Sequence, residues 1–223
     1  MKRAFSSLGL MFLFPLQLVK KLSKDNFVSG LIFGAIFSLV VNLITVQVQE
    51  EISKQRTLEA IENEINLNFL QAKNVKETND KALEKHDPLN YYHRSVEYSS
   101  DLWSQSSDPI RYVAQLDSNT QSLILLYYSI IVKNSNNIVR RVNDVFNQQY
   151  VNCFTVNLEF KSSNKDCITI GDTIRGGENV VAELMRENSQ LVLENFHPTK
   201  DRLNSWFLRL MMGDKSVRVL SGK

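Results

Sequence analysis

The sequence predicts a mainly α-helical membrane protein: one N-terminal transmembrane helix followed by a helical-bundle soluble domain, with a small β-hairpin or extended loop near residues 150–170. Three observations predict this class. Asn26 to Val46 form 21 residues without a charge, bounded by Asp25 and by Glu50–Glu51; at about 1.5 Å per residue the run is about 30 Å long, the thickness of a bilayer's hydrocarbon core. Apolar residues after the span recur at three- and four-residue spacing, as on amphipathic helices. Finally, 43% hydrophobic and 22% charged residues describe a folded chain, so bulk disorder is excluded.

The expected organisation is a basic and apolar N-terminal segment (1–25), the transmembrane helix (26–46), a long amphipathic helix leaving the membrane (47–87), the rest of the helical soluble domain (88–213) and a flexible tail (214–223). The stretch after the span suffices for one domain with a real core, and is short for two. Leu8 to Val19 is too short to span unaided and contains Pro15, and no small-residue cleavage site follows. It is read as an interfacial helix with its lysines at the headgroups. The alternative, a tight helical hairpin with the main span, inverts the orientation.

Within the span, Gly30, Gly34 and Ser38 recur every four residues, with Asn42 one turn further on the same face. Small residues let two helix backbones approach closely in lipid, and an amide in hydrocarbon needs a hydrogen-bond partner. The expected partners are therefore the lipid bilayer and, through this face, a second copy or another membrane protein. Lys20, Lys21 and Lys24 precede the span, with Lys2 and Arg3 further back; Lys54 and Arg56 follow it. The positive-inside rule gives a single-pass plasma- or inner-membrane protein with a cytoplasmic N-terminus and an exported C-terminal domain.

The helix after the span has Leu58, Ile61, Ile65, Ala72 and Val75 on one stripe, with Asn68 at the intervening seam position. The seam is short and partly polar, so a bundle helix is expected over a free-standing coiled coil. Glu62, Glu64 and Glu84 fall to its solvated faces. The motif Leu58, Ile61, Glu64–Ile65, Asn68–Phe69, then Leu102–Trp103, then a 118–147 helix with Tyr127, Tyr128 and Asn134, resembles a loose class of uncharacterised prokaryotic single-span membrane proteins. Their post-membrane helix reads L-x-x-E-I-x-x-N-L. The resemblance covers about half the chain and implies an architecture without an activity. Members often carry arginines just after the span, which implies a cytoplasmic domain; Glu50–Glu51 stand there in this chain, so that implication does not transfer.

Residues 84–116 are loop-rich, broken by Pro88 and Pro109. Ser100 or Asp101 is expected to cap a short helix through Leu102–Trp103. Tyr91, Tyr92, Tyr98 and Trp103 form a candidate ligand or docking cluster, or else they close the open end of a bundle. His86 and His93 lack metal-ligand spacing and are read as solvated. Asp117–Ser118 caps the strongest soluble helix, 118–147, with Leu123, Leu126, Tyr127, Ile130, Ile131, Asn134, Ile138, Val142 and Val145 on its apolar face and Arg140–Arg141 solvated. It is a buried core helix and not a second crossing.

In residues 150–170, Val151, Cys153 and Thr155 alternate with polar residues, the SSNK stretch reads as a turn, and Ile168–Thr169–Ile170 reads as a return strand. Cys153 and Cys167, the only cysteines, form a candidate disulfide if the domain is exported, and are simply thiols if it is cytoplasmic. Gly171 and Gly176–Gly177 read as punctuation before a helix from Glu178 to Phe196, with Val180, Val181, Leu184, Leu191 and Val192 inward and Pro198 as its stop. Thr199 or Asp201 caps a last helix carrying Leu203, Trp206, Phe207, Leu210 and Met211, ended by Gly213.

No catalytic fingerprint appears: no G-x-S-x-G, P-loop, H-E-x-x-H or dinucleotide motif. No cofactor, metal or catalytic residue is assigned, and the chain is read as a non-enzyme. A net charge of +2 excludes a dedicated nucleic-acid binder. Two functions remain: an anchored interaction or scaffold protein that associates through its span and presents a helical docking domain, or a sensor or effector subunit whose helical domain binds a ligand.

Overall fold

The computed structural model describes residues 26–105, 107–161 and 165–202. The expected interfacial segment over 1–25, the last helix over 203–213 and the tail lie outside the described residues. The molecule is mainly helical, and no strand occurs among the described residues. In order come α1 (Asn26–Lys85), α2 (Asp101–Gln105), α3 (Asp108–Val113), α4 (Ser118–Leu126), a π-helical segment (Tyr127–Val132), α5 (Lys133–Gln148), a 3-10 turn (Tyr150–Cys153) and α6 (Lys165–Arg202).

The chain divides into two units, Met1–Ser53 and Lys54–Lys223. In the first, α1 carries the one stretch among the described residues long and apolar enough to cross a membrane. Its apolar side chains face outward, Phe37 at 70% exposure and Leu43 at 63%, as a helix immersed in lipid requires. The Thr45 hydroxyl donates to the Val41 carbonyl at 2.8 Å, so that polar group is satisfied within the helix.

In the second unit, α1 buries Leu58, Ile61, Ile65 and Ala72 completely, the stripe that the 3–4 spacing defines. On α6, Glu178 and Asn179 reach Asn79 and Asp80, and Glu183 reaches Lys76, so α6 runs antiparallel to α1. Tyr127 meets Ser189, and Val142 lies against Gly177, so α6 is antiparallel to the α4–α5 helix as well. The main core gathers the α1 stripe with Tyr98, Ile124, Tyr127, Val132, Val181, Met185 and Phe196, and the result is a three-helix bundle. A second core, of Leu89, Phe146, Tyr150, Cys153, Cys167 and Ile174, sits at the Lys85 end of α1.

Local chemistry sets the helix ends. Asp117 caps α4 by accepting the Thr120 N–H at 3.0 Å. α1 ends in a Schellman motif: Asp87 N–H donates to Ala82 O at 3.0 Å and His86 N–H to Leu83 O at 3.2 Å. His86 takes the left-handed position (φ 51°) that glycine usually fills. The short α2 is not capped by Ser100 or Asp101. Ser99 Oγ accepts the Asp101 N–H, and Glu64 Oε2, from another helix, accepts the Leu102 N–H at 3.1 Å.

Three expectations are corrected. The predicted apolar face of 118–147 holds at Tyr127, which is buried, and at Leu123, Ile131, Ile138, Val142 and Val145, which pack against the two cores. It fails at Leu126 and Ile130, 44% and 47% exposed, and at exposed Asn134, while Tyr128, Val132, Ser135, Val139 and Phe146 are also buried. A π-helical segment, Tyr127–Val132, interrupts this helix and places both Tyr127 and Tyr128 in the core. Of the two expectations for 150–170, the hairpin is not formed among the described residues. Residues 154–160 make a tight reversal closed by one antiparallel bridge, Phe154 to Phe160, and Ile168–Ile170 belong to α6.

Thirdly, Gly171, Gly176 and Gly177 lie inside α6, which runs on past Pro198 to Arg202. Two of these glycines serve packing. A Cβ on Gly171 would meet the Tyr150 ring at 3.0 Å, and one on Gly177 would meet Val142 at 3.1 Å. Val181 and Val192 face inward as expected, whereas Val180 is 67% exposed and Leu191 46%.

Candidate functional site

Between the end of α1 and the start of α2, residues 94–99 form a strap with neither helix nor strand structure. Side chains rather than a neighbouring strand satisfy its backbone. Asn143 accepts the Ser95 N–H and donates to the Ser95 carbonyl, both at 2.9 Å. Asn136 does the same for Tyr98, at 2.7 and 2.8 Å, and Asn68 for Ser99, at 2.8 and 2.9 Å. Gln71 donates to the Val96 carbonyl at 3.1 Å. One amide side chain can offer an acceptor oxygen and a donor N–H side by side, which is the complement of one extended residue's own N–H and C=O.

The spacing follows from helix geometry. Asn136, Arg140 and Asn143 are four and three residues apart, so they lie on one face of α5. Glu64, Asn68 and Gln71 repeat that spacing on α1. The rise from Asn136 to Asn143 is about 10.5 Å, and three residues from Ser95 to Tyr98 cover about 10 Å when fully drawn out. Both grips therefore close only on an extended strap. As the strap advances from 95 to 99 its partners fall from 143 to 136 and from 71 to 68, so it runs antiparallel to α1 and α5 together.

Charges fasten the same segment. The Arg140 guanidinium donates twice to the Glu97 carboxylate, each at 2.8 Å, and that paired charge holds the Glu97 carboxyl below its usual range. On α6, Asp172, Arg175 and Glu178 form a further row. Asp172 accepts from His86 Nδ1 at 2.7 Å, Arg175 donates to the Asp87 carbonyl, and Glu178 accepts from His93 Nε2 at 2.8 Å, from Asn79 at 2.8 Å and from the Ser95 hydroxyl. Glu178 is buried. Burial acts to raise its pKa, but the hydrogen bonds from His93, Ser95 and Asn79 outweigh it and leave the carboxyl below the ordinary range.

Behind the strap lies a buried polar relay. Asn68, only 1% exposed, also donates to the Tyr127 hydroxyl at 3.1 Å. That hydroxyl also shares a hydrogen bond with Ser189 Oγ at 3.0 Å, in which either oxygen can donate. Burial pushes the Tyr127 phenol up to about 12. Burial and the neighbouring Glu64 carboxylate drive Tyr128 higher still. The relay ties Asn68, and through it the strap, to Tyr127 and Ser189 in the main core.

The predicted aromatic cluster divides in two. Tyr91 meets Tyr92 and Phe154 edge-on at 5.2 and 5.3 Å, and Tyr92 is 77% exposed. Tyr98 is buried in the main core, with Trp103 packed against that core and stacked on Tyr128 at 4.8 Å. Gly30, Gly34, Ser38 and Asn42 are exposed, on a span with no buried residue among those described, and no side-chain or remote backbone atom lies within 4 Å of a Cβ at either glycine. Cys153 and Cys167 are joined, their Cα atoms 5.6 Å apart.

Two surface assignments are corrected. Glu62 and Glu64 are buried while Glu84 is exposed, and His93 is only 23% exposed because Glu178 holds it. Arg140 is engaged by Glu97. The sequence did mark Asn68 as a polar seam residue; the roles of Gln71, Asn136, Asn143 and Glu178 were missed. Their only sequence signal is a polar i, i+4, i+7 stripe, which is also what solvated faces look like. Among the described residues no group of three or more His, Cys, Asp or Glu side chains could hold a metal ion. No protein-family model, no curated protein and no solved structure matches the chain.

Proposed function

We propose that the chain is a membrane-anchored interaction protein, of the single-span prokaryotic class it resembles, which associates through its span and presents its helical domain to a partner. The observation that carries the first part is the bare face of Gly30 and Gly34, beside which a second helix can pack closely. The Cys153–Cys167 disulfide supports an exported domain and a cytoplasmic N-terminus, because such bonds persist in oxidising compartments. The extended strap supports docking as the domain's task over catalysis. The alternative of a small-molecule sensor is less well supported, since the aromatic cluster on which it drew is divided between two packing groups.

Two experiments test the reading. In intact cells, a membrane-impermeant maleimide should label Cys153 and Cys167 only after reduction, with unfolded and permeabilised controls for burial. Labelling without reductant and only after permeabilisation places the domain in the cytoplasm. Gly34→Leu should lower cross-linked oligomer in membranes several-fold; unchanged cross-linking removes the span as the association surface.

A further inference from the structure

Resting on the docking reading above, we propose that the strap groove is the docking site itself. Asn68, Gln71, Asn136, Arg140 and Asn143 form a receptor for an extended polypeptide, and the chain's own Ser95–Ser99 is its resident ligand. The partner is an extended segment of another protein carrying a tyrosine directly preceded by an acidic residue, which takes the strap's place.

The grip is directed at backbone. The three asparagines each read an N–H and a C=O, groups that any extended chain offers. Recognition of a main chain by evenly spaced polar groups, with pockets for selected side chains, is the logic by which peptides add to a sheet edge. Here side-chain amides on two parallel helices do what a strand would do.

Burial separates a displaceable ligand from a built-in core segment. From Arg94 to Ser100 only Tyr98 is buried, at 4% exposure, while Val96 is 65% exposed. One buried aromatic anchor, with the neighbouring side chains turned outward and the backbone gripped by polar groups, is the anchor-and-rim arrangement of an interface. No backbone–backbone hydrogen bond reaches the 95–99 segment among the described residues.

The resident's contacts define what the partner must carry. Tyr98 fills the anchor position, Arg140 offers a two-pronged fork to a carboxylate one residue before it, and Glu178 accepts a hydroxyl three residues before it. The preferred segment reads hydroxyl–x–acid–Tyr. Because the strap is tethered, it competes at an effective concentration in the millimolar range, so the wild-type groove is closed to all but a high local concentration of partner.

The test uses the full chain in detergent micelles and a fluorescein-labelled peptide, RSVEYSS, copying residues 94–100, followed by fluorescence anisotropy. Y98A frees the groove by removing the strap's anchor and should bind the peptide about tenfold or more tighter than wild type. The same peptide with its tyrosine changed to alanine should not bind, and adding N136A and N143A to Y98A should abolish binding. A Y98A protein of unchanged helical circular dichroism that binds nothing up to about 1 mM peptide overturns the proposal. Should Y98A fail to fold, amide hydrogen exchange on the wild type decides. The Ser95, Tyr98 and Ser99 amides should exchange about tenfold or more faster than those of Ile61, Ile124 and Val181, through local opening of the strap. Exchange of both sets at one common rate shows a strap that leaves only on global unfolding, and overturns the proposal too. Neither negative result touches the anchored-interaction reading, which stands or falls on the thiol-labelling and Gly34→Leu experiments.

Discussion

Asn68→Ala removes the one side chain that joins the α1 stripe, the strap and the Tyr127–Ser189 relay. Three hydrogen bonds disappear: Ser99 N–H to Asn68 Oδ1 at 2.8 Å, and Asn68 Nδ2 to Ser99 O at 2.9 Å and to the Tyr127 hydroxyl at 3.1 Å. At about 1 kcal/mol net each the loss is about 3 kcal/mol. The position is 1% exposed, so water does not readily replace the amide, and the total becomes about 3–4 kcal/mol once part of the desolvation cost of the orphaned groups is included. Tyr127 keeps its bond to Ser189, which holds the figure below the cost of a fully stranded phenol. For a chain of this size about 1 kcal/mol moves Tm by roughly 2–4 °C, so thermal unfolding of the full chain in detergent, read by far-UV circular dichroism, should shift down by roughly 6–16 °C. Asn134→Ala, at an exposed asparagine of α5, should change stability by no more than about 0.5 kcal/mol. If the two variants melt alike, the amide grip contributes nothing to the fold and the structural basis of the strap groove is lost.

Further outcomes follow from single contacts. Gly176→Ala should stabilise by about 0.5–1 kcal/mol, since nothing lies within 4 Å of its Cβ and alanine favours a helix interior. Gly171→Ala should instead destabilise, because its Cβ would lie 3.0 Å from the buried Tyr150 ring; paired thermal melts with shifts of opposite sign are expected, and equal shifts refute the packing role of Gly171. Replacing both cysteines by serine should cost about 3 kcal/mol for a closed loop of this length, with 14 residues separating Cys153 from Cys167; denaturant titration measures it, and an unchanged midpoint refutes it. Glu178 has a folded-state pKa below its usual 4.5. Its contribution to stability is therefore present above about pH 4.5 and lost as pH falls through the folded value. Melting curves across that window should flatten in Glu178→Gln, and identical acid profiles for the two proteins would falsify the assignment.

The apolar spacing of Leu58, Ile61, Ile65 and Ala72 was legible because burial of one stripe is a local, periodic signal. So was the Asp117 cap, which depends on residues three apart. The π segment at Tyr127–Val132 was not legible, because nothing in YYSIIV announces an extra residue in the turn, and neither was the burial of Tyr128, which depends on its stacking with Trp103. Gly171 and Gly177 looked like punctuation because a glycine's local effect is to weaken a helix; their actual roles depend on Tyr150 and Val142, distant in sequence. The same holds for Glu64 and Glu178. A buried carboxylate cannot be told from a solvated one by helix position when the donors that satisfy it come from a strap.

By itself the sequence determined an uncharged run of membrane length, the amphipathic stripe of α1, and two cysteines placed around one loop. Those properties depend on transfer free energy and on short-range periodicity, which the order of residues states directly. Only the tertiary structure decided that Asn68, Asn136 and Asn143 converge on one strap, that Glu178 gathers His93, Ser95 and Asn79, and that Tyr98 parts from Tyr91. An amide side chain is equally suited to water and to a peptide unit, and its choice is made by which backbone the packing of α1, α5 and α6 brings within about 3 Å.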